Sequence, residues 1–181
     1  MAVQNRHPRQ KRIDLEQVGE SGEIAALVAE GFDVDHFNLV AHAAERGGFR
    51  TMIVSPQRSL VSGRSGQREE MNFVVDKHPG DVGPSTYDGL LVPGGVTSVK
   101  ALMKDQDARL LVLDYIKANK PVFALGDAVE LLAEVSEKEG VAGVAALALN
   151  GEIFAGDGET AQEDAASAFV DALTVKADDA A

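Results

Sequence analysis

The sequence predicts an α/β domain, a mostly parallel sheet covered by helices on both faces. Three observations carry that expectation. Short apolar runs of buried-strand type recur along the chain. Between them lie segments with apolar residues at three- and four-residue steps, the period of a helix with one buried face. Glycine or proline stands at almost every junction. Strands alternating with helices call for a parallel sheet between two helical layers.

The elements follow in order. Ile24 to Ala29 is a strand, ended by Gly31. Asp33 to Arg46 reads as a helix, with Val34, Phe37, Val40 and Ala41 or Ala44 at three- and four-residue steps, Asp33 as N-cap and Gly47-Gly48 as stop. Phe49 to Ser55 is a second strand, closed by Pro56. Ser59 to Gly63 and Met71 to Val75 are short strands around a polar turn, and Asp76 to Ser85 is a loop. Tyr87 to Val92 is a buried-type strand that ends in Pro93-Gly94-Gly95. Val99 to Asn119 is helical with a break near Asp105. Pro121 to Leu125 is a further strand, and a helix runs from Asp127 to Glu137. Ala145 to Ala155 reads as a hairpin around Asn150-Gly151. Asp164 to Val175 is the last helix. Residues 1–22 form a flexible basic tail, 23–175 a single domain and 176–181 a disordered tail.

Composition narrows the function. The chain has 181 residues and no cysteine, which excludes a disulfide, a thiolate nucleophile and any Cys-ligated metal or cluster. The net charge is −12, and residues 1–12 hold Arg6, Arg9, Lys11 and Arg12 with no acid, so the rest of the chain is more acidic still. Such a body repels nucleic acid and anionic membranes. No apolar run reaches the length of a membrane span, and no apolar leader opens the chain, so the expected location is the cytoplasm.

In open α/β sheets ligands bind beyond the carboxyl ends of the strands. The first strand delivers Glu30, Gly31, Phe32 and Asp33 there. The strand at Leu90 delivers Gly94 and Gly95, and the strand at Val122 delivers Gly126 and Asp127. Asp33, Gly94, Gly95, Gly126 and Asp127 are thus the expected ligand pocket. The plainer reading of each aspartate is a helix cap. The other is a carboxylate pair, one acid and one base, in a hydrolase, a lyase or a small-molecule-binding protein.

The same segments carry a resemblance. Gly31-Phe32-Asp33, Gly48-Phe49-Arg50, Tyr87 to Gly95 and Lys120 to Leu125 resemble the ThiJ/PfpI superfamily. The resemblance implies a flavodoxin-like three-layer sandwich of the class I glutamine amidotransferase-like kind. In active members a Cys-His pair stands at a strained elbow after the Lys-Pro-Val strand, and a Glu from the first loop tunes the Cys. Here those three positions match Gly126, Asp127 and Asp33. Glycine has nothing to attack with. The family's peptidase, glyoxalase, deglycase and amidotransferase chemistry is therefore not expected, and a thiol-based redox sensor is excluded.

Ala124-Leu125-Gly126-Asp127-Ala128 further resembles the degenerate elbow of the C-terminal domain of large-subunit catalases, and Ala165 to Leu173 resembles its final helix. That likeness implies a stress-related interaction or stabilising domain without a cofactor. It also implies a homodimer, with a catalase or another stress protein as partner.

The remaining signals have ordinary explanations. Gly156-Asp157-Gly158-Glu159-Thr160-Ala161 fits a dinucleotide pattern, but too little chain follows it for a βαβ unit. Asp33, Asp35, His36 and His42 suggest a metal cluster. His36, however, points away from the face shared by Asp35 and His42, and a solvated helix face is the reading taken. Ser55, Ser59, Ser62 and Ser65 lack a Gly-x-Ser-x-Gly elbow. Arg58, Arg64 and Arg68 form a small basic cluster, in a region where the family resemblance implies a subunit contact.

Overall fold

A computed structural model of the chain describes residues 22–66, 69–139 and 159–179. The basic tail, Arg68, the hairpin around Asn150 and the Gly156-Asp157-Gly158 stretch lie outside the described residues.

Two sheets organise the domain. The larger contains β1 (Glu23–Leu27), β3 (Arg50–Val54), β6 (Gly89–Val92) and β7 (Val122–Ala124), in the order β3-β1-β6-β7 and parallel throughout. The smaller contains β2 (Phe32–Asp33), β4 (Leu60–Ser65) and β5 (Glu69–Val74), in the order β2-β4-β5. The helices are α1 (Val34–Arg46), α2 (Val96–Lys104), α3 (Gln106–Lys117), α4 (Ala128–Glu139) and α5 (Glu159–Asp179).

The apolar runs are continuous because both faces of the larger sheet are covered. Successive side chains of a strand point to opposite faces. Ala25, Leu27, Leu90, Val92, Val122 and Ala124 accordingly pack with α2, α3 and α4. Ile24, Ala26, Val28, Leu91, Phe123 and Leu125 pack with α1 and α5 on the other side. These are the three layers that the family resemblance implied.

Helix boundaries follow local chemistry. Asp33 adopts extended backbone, and its side chain accepts from the backbone N–H groups of Asp35 and His36, so α1 starts where the sequence put its cap. The break in the Val99–Asn119 stretch falls at Asp105. Its N–H closes α2 onto Ala101 and Leu102, while its Oδ1 accepts from Ala108 N and opens α3. α2 begins earlier than expected, at Val96, because Gly95 ends the preceding loop. α5 runs beyond Val175 to Asp179, into the stretch expected to be tail; neither glycine nor proline interrupts it there.

β2 is absent from the sequence reading. Its two residues pair in parallel with Gly63 and Arg64 of β4, a contact that only the folded chain creates. Phe32, Phe37 and Phe73 then meet edge to face or tilted, with ring centroids 5.1–5.9 Å apart, and seal the small sheet onto α1.

Candidate functional site

The carboxyl ends of β1, β6 and β7 converge on one side chain, that of His36. Each glycine around it is required by a near contact. Gly95 has φ +114°, and a Cβ there would stand 2.7 Å from the carbonyl oxygen of Gly31 and 3.0 Å from the backbone nitrogen of Asp33. This close approach locks the β1–β2 loop against the β6–α2 loop, and Asp33 N–H donates to Gly94 O at 2.8 Å. A Cβ at Gly94 would stand 2.9 Å from His36 Nδ1.

The elbow between β7 and α4 keeps its strained shape without a nucleophile. Gly126 has φ +54°, a backbone conformation that side-chain-bearing residues adopt at a cost. The turn closes through Ala128 N–H to Leu125 O and Val129 N–H to Gly126 O. A Cβ at Gly126 would stand 3.1 Å from His36 Cε1. The imidazole therefore lies directly over the point from which a side chain at position 126 would emerge.

His36 is held from two sides. Gly94 N–H donates to its Nδ1 at 3.3 Å, and Asp33 Oδ2 lies 3.6 Å from the same nitrogen. The second distance is too long for a hydrogen bond. In this arrangement Nδ1 serves as an acceptor, and Nε2 is the ring nitrogen left to face other groups. Its side chain is 22% exposed, so the ring is tucked between the loops and still touches solvent.

The structure brings Asp33, Gly94 and Gly126 together around His36, with Gly95 locking Asp33 in place. Asp33 does serve as the cap: its Oδ1 takes the N–H groups of Asp35 and His36, at 2.9 and 3.0 Å. Asp127 follows the elbow, exposed, and no described residue bonds its carboxylate. Glu30 turns away from the cleft to β4, where it accepts from the Ser62 hydroxyl and N–H.

His36 is a correction. The solvated face expected for it belongs to His42, which is exposed, while His36 turns toward the elbow. The signal was present: His36 lies three residues after Asp33, and residues at that spacing are neighbours on a helix. The sequence reading compared it with Asp35 and His42 instead. Asp35 in fact faces β4 and accepts from Ser65 Oγ at 2.7 Å. Among the described residues no group of three or more His, Asp or Glu is placed to hold a metal ion.

Comparison with known proteins adds the lineage. A model of the DJ-1/PfpI family matches residues 23–178. The chain is 30% identical over 113 residues to protein/nucleic acid deglycase 2 of Escherichia coli (strain K12), a stretch that covers 62% of this chain and 63% of that relative. The match thus spans less than two thirds of the relative's length. Among solved structures it resembles a ThiJ/PfpI domain protein from Brachyspira murdochii, with a TM-score of 0.65 at 18% identity, covering 87% of this chain and 99% of that one. It also resembles oxidized Toxoplasma gondii DJ-1, with a TM-score of 0.60 at 14% identity over 86% and 97% of the two chains. At such identities the structural likeness speaks for the fold. The family match covers every described strand and nearly all of the last helix, and the chain belongs to the DJ-1/PfpI family.

Proposed function

We propose that this chain is a thiol-independent member of its family, an interaction or stabilising domain rather than a covalent catalyst. One observation carries the reading: the elbow position is Gly126, with the His36 ring 3.1 Å from where its Cβ would stand. Covalent catalysis needs a side chain aimed from that turn, and the chain has no cysteine anywhere to supply a thiol. The elbow sequence Ala124 to Ala128 keeps the likeness to the catalase C-terminal domain as the specific form of this proposal, with a stress-related role, a homodimer and a catalase as partner. The deglycase named among its relatives is the activity to test against. Purified protein incubated with methylglyoxal-modified protein, with methylglyoxal itself and with a peptide substrate should show no turnover above the blank. Turnover that disappears in His36→Ala or Asp127→Ala would overturn the proposal.

A second reading is a small-molecule site in which carboxylates act. Its support is that Asp33 keeps one oxygen outside the cap, 3.6 Å from His36 Nδ1, and that Asp127 stands exposed at the elbow. The group paired with Asp33 in this reading is His36, in place of the Asp33/Asp127 carboxylate pair alone. With Nδ1 accepting from Gly94 N–H, Nε2 is the nitrogen that can donate to an oxygen of a bound molecule, while a carboxylate takes a proton. A ligand-dependent rise in melting temperature, lost in both Asp33→Asn and His36→Ala, would favour it.

A further inference from the structure

A second cleft lies at the opposite edge of the larger sheet, beyond the carboxyl end of β3. It has a volume of about 470 Å³ and is walled by Gln57, Arg58, Lys77, His78, Asp76 and Asp81. It shares no wall residue with the elbow site.

The backbone beneath the cleft is fixed. Ser55 N–H donates to Lys77 O at 3.1 Å, and the N–H groups of Asp76 and Lys77 donate to Ile53 O at 2.9 and 3.2 Å. The Asp76 carboxylate is tied into the same wall, with Oδ2 accepting from Ile53 N at 2.7 Å. Gln57 and His78 have their acceptor atoms occupied as well. Gln57 Oε1 accepts from the buried Ser55 hydroxyl at 2.6 Å, which leaves the amide NH2 as its free end. His78 Nδ1 accepts from Gly80 N at 3.2 Å, with Asp107 Oδ2 3.9 Å from the same nitrogen, which leaves Nε2 as its free ring nitrogen. Arg58 and Lys77 have no side-chain partner among the described residues.

The wall therefore presents donors: a guanidinium, an ammonium, an amide NH2 and an imidazole N–H. Against them stand two carboxylates: Asp81, in the turn that closes the cleft, and Asp76, which commits Oδ2 to Ile53 N and keeps Oδ1. Two cations with adjacent donors fit a phosphoryl or carboxyl group, and carboxylate acceptors beside them fit hydroxyls. We infer that this cleft is a binding site for a small hydroxylated oxyanion, with the chemistry of a sugar phosphate. Arg58 and Lys77 hold the anionic group, Gln57 and His78 complete its hydrogen bonds, and Asp81 accepts from a hydroxyl. The site is independent of the elbow and of any reading of its chemistry. It also gives Arg58 a role other than the subunit contact suggested by the sequence.

The test is a calorimetric titration of the full chain with glucose 6-phosphate, inorganic phosphate and glucose as probes, at low ionic strength. Glucose 6-phosphate should bind saturably and more tightly than inorganic phosphate, and glucose should not bind. Arg58→Ala and Lys77→Ala should each weaken glucose 6-phosphate by about tenfold, as expected for loss of one charge-assisted hydrogen bond. Asp81→Asn should narrow the gap between glucose 6-phosphate and inorganic phosphate. Amide NMR shifts on addition of glucose 6-phosphate should centre on Gln57, Lys77 and His78. The inference is overturned by the absence of saturable binding, by affinities unchanged in both cation variants, or by shifts centred on Gly94 and Gly126 instead.

Discussion

The backbone N–H of Gly94 donates to Nδ1 of His36 across 3.3 Å, joining the loop after β6 to the first turn of α1. The ring lies beside both elbow-facing glycines: a Cβ would stand 2.9 Å from Nδ1 at Gly94 and 3.1 Å from Cε1 at Gly126. His36, Gly94 and Gly126 form one packing unit.

Gly126→Ala should cost about 1–2 kcal/mol for a left-handed residue with a Cβ, with a further penalty from the contact to His36. In the double variant with His36→Ala that second share should vanish, leaving a coupling energy above about 0.5 kcal/mol between the positions. Urea denaturation of the four proteins measures it. Strict additivity would mean that ring and elbow do not touch in solution.

Gly95→Ala should be far more damaging than Gly48→Ala. Both have positive φ, but the added Cβ at Gly95 meets backbone atoms at 2.7–3.0 Å, whereas at Gly48 nothing lies within 4 Å. Backbone cannot swing aside as a side chain can. The expected losses are about 3 kcal/mol or more at Gly95 and about 1 kcal/mol at Gly48. Similar melting temperatures for the two variants would contradict the locked-loop geometry.

Asp33→Ala should remove about 1 kcal/mol through loss of the α1 cap, while Asp33→Asn should keep most of it, since an amide oxygen caps almost as well. The ring shifts of His36 should change little in Asp33→Asn, because Gly94 N–H rather than Asp33 bonds its Nδ1. A large change in this variant would mean that Asp33 holds the ring.

Stability should decline at alkaline pH. Burial pushes the Tyr115 hydroxyl, which donates to Gly83 O at 3.2 Å, above its ordinary value of 10.0, and burial together with Glu23 and Asp76 raises Tyr87. With the folded values raised, the unfolded chain loses these protons first. The stabilisation is therefore intact below about pH 10 and is lost as pH climbs through the folded values. Tyr115→Phe should flatten the decline of the urea midpoint above pH 10. An unchanged slope would assign the loss to other groups.

Much of the fold was legible because its signals are local. The six-residue run from Ile24 to Ala29 is apolar throughout, and a strand buried on both faces needs nothing else to be recognised. Asp33 and Asp105 announce their helices through short side chains that reach backbone N–H groups two or three residues on. β2 carried no such mark, since a two-residue strand is defined by its partner in β4.

The site divides along the same line. By itself the sequence determined that no thiol chemistry occurs here, because composition is independent of folding, and it pointed to Asp33, Gly94, Gly95, Gly126 and Asp127 through the family motif and the strand ends that deliver them. Only the tertiary structure decided that His36 reaches the elbow. That outcome depends on three loops from β1, β6 and β7 meeting at one point, and on the room left by two absent Cβ atoms. A vacancy of that kind has no local signature, for it exists only once the strands stand side by side.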